Sequence, residues 1–288
     1  MYGIGELPHL IKHSLDTQVS LSRLRRRHTL DERVAGRTVV ITGASSGIGR
    51  AAAVRIGAAG ATVALIARRE PELRQVAEQI EGLGGKAAVY PCDLNDFEAL
   101  DATATRILAD HGGVDILVNN AGRSIRRRLD ESYHRFHDYE RTMRLNYLAP
   151  TRLMLALLPS MRERRDGQVV TVLSVANLFG GPGYSAYVAS KAALDSLTAN
   201  LQVEILTENI RFTSVYMPLV RTQMIAPNPL YRNAAALTPE QGAQAICDAV
   251  IDRPRRIGPV LGRIAALVDR VLPERFDAVR SARFQLGV

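Results

Sequence analysis

The 288-residue sequence predicts one doubly wound α/β domain, a parallel sheet with helices on both faces. Three observations predict it. From residue 37 onward, short apolar runs alternate with longer helical stretches. The short runs are nearly continuous Val, Ile and Leu without polar alternation, as expected for strands covered on both faces. The first run ends in a glycine-rich loop that opens a helix, and strand–helix alternation of this kind builds a parallel sheet.

The elements follow in order. RTVVITG (37–43) is a buried strand ending in glycine, and IGRAAAVRIGAAG (48–60) is a helix closed by Gly60. A second strand (61–68) leads to a helix over 70–85 with glycine stops, and a third strand (86–94) to a helix over 96–113. The fourth strand is 114–122. A long helix over 132–162, interrupted or bent around Pro150, precedes the fifth strand, 167–175. A helix over 184–206 then connects to a sixth strand, 210–218. Two segments fall outside this rhythm. Residues 1–33 read as a helical, basic extension, and residues 260–288 as an amphipathic one with arginine opposite its apolar face. The domain itself is taken as 34–259. Both extensions are expected to pack on the domain or a neighbouring subunit, with contact at a membrane surface as the competing reading.

Composition narrows the class. With 47% hydrophobic and 23% charged residues the chain is ordinarily globular. Two distant cysteines, Cys92 and Cys247, make no disulfide framework, so a cytoplasmic location is expected. No apolar run is long enough to span a bilayer, and the first residues lack the features of a signal peptide. His134 and His137 stand in a charged stretch without Cys or His partners, so no metal site is expected. The net charge is +8 with clustered arginines. That attracts anions generally, but no nucleic-acid motif accompanies it and no nucleic-acid partner is expected.

TGASSGIG (42–49) sits between the first strand and the first helix. Gly43 allows a tight turn, and Gly47 and Gly49 let the backbone approach a pyrophosphate at a helix N-terminus. Gly43, Ser45, Ser46, Gly47, Ile48 and Gly49 are the candidate cofactor contacts of this Rossmann-like loop. At the end of the second strand, Ala67 stands where a carboxylate would bind the ribose diol of NAD, and Arg68 follows. Arginine suits a 2′-phosphate, so NADP(H) is favoured over NAD(H). In YVASK (187–191), Tyr187 and Lys191 are four apart and share one helix face. The spacing alone is common.

Taken together, TGASSGIG, CDL (92–94), NNAG (119–122), YVASK and PLVRT (218–222) resemble the short-chain dehydrogenase/reductase family in content and order. The resemblance covers residues 36–222. It implies a catalytic tetrad of Asn146, Ser174, Tyr187 and Lys191, with Asp93 and Leu94 by the adenine. Asn120, Ala121 and Gly122 would lie on the ribose side, and Pro218, Val220 and Thr222 by the nicotinamide. A nearby ammonium favours tyrosinate, so Lys191 is expected to lower the pKa of Tyr187 and fit it for proton transfer. Lys191 would also hold the nicotinamide ribose, while Asn146 would position a water that relays protons. Ser174 would polarise the substrate carbonyl.

NNAGRSIRR, RFHDYERTMRLNY, SAYVASKAALDSL and YMPLVRTQMIAPN are similar to the bacterial fatty acyl-CoA reductases of that family. The implied substrate is a long-chain acyl-CoA, reduced to the aldehyde. Residues 219–237 read as an apolar lid, and Arg126, Arg127 and Arg128 as candidates for CoA phosphates, with plain solvation as the competing reading. The alternatives are a 3-oxoacyl, ketone or hydroxysteroid dehydrogenase, or a non-catalytic cofactor-binding or lipid-surface protein. The family also implies a homodimer or homotetramer through helices 132–162 and 184–206.

Overall fold

The structure is a computed structural model, and it describes residues 28–285. Most of the expected N-terminal extension, residues 1–27, therefore lies outside the described residues, as do residues 286–288. Seven parallel strands form one sheet in the order β3-β2-β1-β4-β5-β6-β7. They are β1 (Thr38–Thr42), β2 (Thr62–Ala67), β3 (Lys86–Pro91), β4 (Ile116–Asn119), β5 (Gly167–Ser174), β6 (Ile210–Met217) and β7 (Arg256–Ile257). The order reverses at β1 and β4, so the carboxyl ends of these two strands open a crevice, the usual ligand position in such sheets.

Alternation along β1 assigns the two faces. Val39 and Ile41 pack with α2 (Gly47–Ala58), α3 (Glu70–Glu81) and α9 (Pro239–Asp252) through Ile56, Leu73, Ile80 and Ile246. Val40 packs with α4 (Phe97–His111), α6 (Ala149–Arg164) and α8 (Ser185–Glu204) through Ile107, Leu157 and Leu194. Local chemistry sets several helix ends. Asp96 caps α4 by accepting from Ala99 N at 3.1 Å, and Gly112 ends it with φ of 68°. Thr238 and Gln241 form a reciprocal capping box on α9.

Three details differ from the sequence expectation. The helix expected over 132–162 is two helices, α5 (Phe136–Met143) and α6, joined by a π-turn over Arg144–Leu148. The interruption falls directly before Pro150, which stands at the second position of α6. A seventh strand, β7, pairs with β6 through Ser214↔Arg256 and Val215↔Ile257; two residues are too short to leave a periodic signal. The boundary drawn at 33/34 falls inside α1 (Leu30–Val34), whose Val34 is fully buried in the core.

Beyond β7 the chain forms α10 (Val260–Val271) and α11 (Pro273–Gln285). α10 crosses α7 (Ala176–Phe179), the short helix that follows β5. The crossing is close at Gly262, where an added Cβ would stand 2.9 Å from Val175 Cγ2. α11 returns to the same place. Phe284 lies under the guanidinium groups of Arg126 and Arg128, 5.9 and 5.0 Å from its ring centre. Arg280 donates to the carbonyl of Phe179 and pairs with Asp269 at 3.2 Å.

Candidate active site

A cleft of about 820 Å³ runs along the carboxyl ends of the central strands. Its floor at one end is the glycine loop. Gly43 and Gly47 have φ of 68° and 56°, a region that penalises a side chain. Gly49 leaves no room for one, because an added Cβ would collide with Gly43 O and lie 2.5 Å from Asn120 Nδ2. No side chain caps the N-terminus of α2, so its first N–H groups meet the cleft at Gly47 and Ile48. This is the cradle a pyrophosphate needs, and the residues present fit a dinucleotide.

Asn120 ties the cradle to β4. Its Nδ2 donates to Thr42 O at 3.0 Å, and the backbone N–H groups of Asn120 and Ala121 each donate to Thr42 Oγ1 at 3.0 Å. The Asn120 side chain thus knits the ends of β1 and β4 together. Asp93 and Leu94 line the cleft beyond β3. Asp93 Oδ1 accepts from Asn95 N and Nδ2 at 3.0 and 2.9 Å, which shapes that turn. Arg68 lines the cleft at the end of β2, where Ala67 provides no carboxylate. Arg69 joins it and donates to Ser45 Oγ across the mouth at 3.4 Å.

At the other end, β5 delivers Ser174 and α8 delivers Tyr187 and Lys191 to one wall. The Tyr187 ring is partly open to the cleft, but its hydroxyl is desolvated, which pushes its pKa up; the bonded Ser174 hydroxyl pulls the other way. Lys191 is buried, and its Nζ donates to Val172 O at 2.8 Å. Desolvation depresses its pKa to about 8. This corrects one expectation. In the protein alone Lys191 does not bring the Tyr187 pKa below its ordinary value, because burial outweighs every favourable contact and the ammonium is itself desolvated.

Asn146 lies one layer behind, fully buried in the π-turn. Its Nδ2 donates to Arg123 O at 2.9 Å and Ser190 Oγ at 3.0 Å, and its Oδ1 accepts from Arg123 N at 2.8 Å. Ser190 in turn donates to Tyr187 O at 2.7 Å, so one chain of bonds joins the π-turn to α8. A π-turn inside a helix is a frequent mark of a functional site. Gly122 is pressed close by, where an added Cβ would lie 3.3 Å from both Asn146 Oδ1 and Lys191 Nζ.

Pro218, Val220 and Thr222 border the cleft where β6 gives way to the loop 219–237. The ends of that loop pair with each other: Leu237 N donates to Leu219 O at 2.9 Å and Arg221 N to Leu237 O at 2.8 Å. Its middle carries Met224, Ile225 and Tyr231 into the lining. Tyr231 stacks on Tyr184 with ring centres 6.3 Å apart, and Asn228 Nδ2 donates to Tyr184 Oη at 2.7 Å.

Every sequence-predicted catalytic and cofactor residue except Gly49 and Asn146 thus lines one cleft, and those two support its wall; Arg126, Arg127 and Arg128 do not line it, and meet Phe284 and Asp138 instead. Sequence reasoning missed Arg69, Arg123 and Tyr184, while Tyr231 falls in the lid segment 219–237 that it named. Arg69 was legible, since it directly follows Arg68; Tyr184 belongs to no local pattern. Cys92 also borders the cleft, but burial pushes its thiol pKa up, so it is no ready thiolate. Among the described residues no group of three His, Cys, Asp or Glu side chains could hold a metal ion, and no helix is long and apolar enough to cross a membrane.

A glycine cradle at a sheet's reversal point, facing a Ser–Tyr–Lys wall, defines a nicotinamide-dependent oxidoreductase site. The chain belongs to the short chain dehydrogenase family, whose model matches residues 37–231. An uncharacterized oxidoreductase of Mycobacterium tuberculosis is 52% identical over 260 residues, covering 89% of this chain and 76% of the relative. A fatty acyl-CoA reductase of Acinetobacter baylyi is 48% identical over 255 residues, covering 88% and 86%. A metagenomic short-chain oxidoreductase solved with NADP superposes with a TM-score of 0.67 at 30% identity, covering 77% of this chain and 95% of that one. A 7α-hydroxysteroid dehydrogenase solved with NADH and 7-oxo glycochenodeoxycholic acid gives 0.72 at 26% identity, covering 78% and 91%. The protein is an NAD(P)-dependent oxidoreductase.

Proposed function

We propose that the protein reduces long-chain fatty acyl-CoA to the fatty aldehyde with NADPH. When bound, the reduced nicotinamide supplies the hydride. Tyr187 holds the proton that the carbonyl oxygen takes up, and its raised pKa keeps that proton in place at neutral pH. Ser174 donates to the same oxygen and polarises the carbonyl. Lys191 orients the nicotinamide ribose, and Asn146 holds the π-turn and α8 in register behind it. Arg68 and Arg69 border the adenosine end without a carboxylate from Ala67, which supports NADPH over NADH.

The single observation that carries the substrate is the loop 219–237, which brings Met224, Ile225 and Tyr231 to the cleft beside Ser174 and Tyr187. An apolar wall there suits an acyl chain. The similarity to the Acinetobacter reductase supports the same reading. A reduced thioester carbon is a hemithioacetal, whose collapse releases thiol and aldehyde without an enzyme nucleophile. The two buried cysteines are therefore no obstacle. Leu155 on α6 and Val203 on α8 are exposed, which supports a homo-oligomer through those helices.

Consumption of NADPH and NADH should be followed with palmitoyl-CoA, a fatty aldehyde, a 3-oxoacyl thioester and a keto-steroid. Turnover of palmitoyl-CoA with NADPH is expected. Activity confined to the last two substrates would replace this reading with a ketone reductase.

A further inference from the structure

Helix α10 turns the unexpected face to the domain. Its small residues do the packing: Gly262 is buried against Val175 and Leu178, and Ala265 and Ala266 are half-buried. Its large apolar residues point outward. Val260, Leu261, Ile264, Leu267, Val268 and Val271 are exposed, Leu267 by 62% and Val271 by 66%. An ordinary surface helix does the reverse. A run of six large apolar side chains on one exposed face marks an interaction surface rather than scattered exposure.

Charge selects the occupant. The two helices over 260–285 hold five arginines against three carboxylates, Asp269, Glu274 and Asp277. Two of those three carboxylates are engaged by Arg280. Arg263 and Arg270 share one flank of α10, since a spacing of seven residues returns to nearly the same side of a helix. Neither has a carboxylate partner among the described residues, and Arg263 Nη2 instead donates to Arg256 O at 3.1 Å. An apolar face flanked by unneutralised arginine matches the boundary between acyl chains and anionic headgroups. It matches a second copy of the same face poorly, because a two-fold contact would set like charge against like.

The geometry points to α10 as a docking helix for an anionic lipid surface, lying in the headgroup plane with Leu261, Ile264, Leu267, Val268 and Val271 inserted. The seat of α10 on Val175 and Leu178 puts this surface on the segment that follows Ser174. Docking would bring the site up to where lipid-derived molecules reside. The inference is independent of the substrate proposed above.

The full chain should be sedimented with vesicles of phosphatidylcholine alone and of phosphatidylcholine with phosphatidylglycerol. Binding is expected to the anionic vesicles, weakening as salt rises. Ile264→Gln combined with Leu267→Gln should weaken it roughly tenfold or more, and Arg263→Glu with Arg270→Glu should remove the preference for phosphatidylglycerol. Both variants replace exposed side chains, so NADPH-dependent turnover and thermal midpoint should stay unchanged. Three results would overturn the proposal. The wild type fails to bind either vesicle; or light scattering shows an oligomer that the Ile264 and Leu267 variant dissociates, so that a second copy covers the face; or binding appears only after removal of residues 1–27, so that this segment covers it.

Discussion

Lys191 Nζ and Val172 O lie 2.8 Å apart, so the buried ammonium of α8 is anchored on the central strand β5. This anchor holds the amine in one position on the wall that also carries Tyr187, while desolvation lowers its pKa to about 8. The charge therefore titrates within reach of an ordinary assay. Below about 8 Lys191 is cationic, and above it the proton leaves. Tyr187, with its pKa raised, stays protonated throughout. The kcat/KM for reduction should be level through neutral pH and fall above about 8. A profile that stays level well beyond that point would rule out the charged lysine. The same shift affects stability. From about 8 up to the ordinary value of 10.5 the unfolded chain binds the lysine proton and the folded chain does not, so this group's contribution to stability rises with pH there.

Tyr187→Phe keeps the ring and removes the proton donor. Its kcat should fall by roughly 10²–10⁴-fold, while NADPH affinity, read by fluorescence titration, changes little. Wild-type turnover in this variant would sink the assignment. Ser174→Ala removes one donor to the developing oxyanion and should cost roughly 10²–10³-fold in kcat.

Cofactor choice is tested at the end of β2. Arg68→Glu places a carboxylate beside the position proposed for the 2′-phosphate of NADPH. It should weaken NADPH binding by roughly tenfold or more, as loss of a charge-assisted bond implies, and leave NADH binding far less affected. Equal effects on the two cofactors would mean that Arg68 does not read the phosphate.

Gly49→Ala should be the most damaging change in the glycine loop. The added methyl meets the backbone at Gly43 O, and backbone cannot turn aside as a side chain does. A loss of about 1–3 kcal/mol is expected, read as a drop in Tm together with loss of dinucleotide binding. Gly84→Ala is the control. Its φ of 80° carries strain, but nothing lies within 4 Å of the added Cβ, so cofactor binding should survive.

Phe284→Ala removes the ring under Arg126 and Arg128 and opens space at Gly183, which an added Cβ would bring within 3.2 Å of that ring. Loosening the segment 180–184 should shift Tyr184 and raise KM for the substrate several-fold with a smaller change in kcat. Equal loss in both would point to general destabilisation.

Much of this was legible in the sequence because it is local. The strand runs, the TGASSGIG loop and the pair Tyr187 and Lys191 all declare themselves within a few residues, since strand burial, helix periodicity and phosphate cradles are short-range patterns. What escaped is long-range. Asn228 reaches Tyr184, Arg280 reaches Phe179, and Ser190 closes the chain from Asn146 to Tyr187, each across separations that leave no trace in spacing. The direction of the Tyr187 shift was misread for a related reason. Proximity to Lys191 is written in the sequence, whereas the depth of burial depends on how distant segments close over the hydroxyl. The interruption expected around Pro150 is a π-turn just before it, and the form of that turn has no periodic signature.

The loop 219–237 is joined to itself at its base, where Leu219, Arg221 and Leu237 exchange backbone bonds. A segment whose two ends meet behaves as a cassette. It can be lengthened, shortened or exchanged without disturbing the strand that launches it, because the junction closes upon itself. Its first residues stay with the glycine loop, since Thr222 Cγ2 stands 3.1 Å from where a Cβ at Gly47 would lie, so only the stretch beyond Thr222 is free to vary apart from the nucleotide cradle. Under the proposed function, rewriting that stretch would change the molecule reduced and leave the glycine cradle in place.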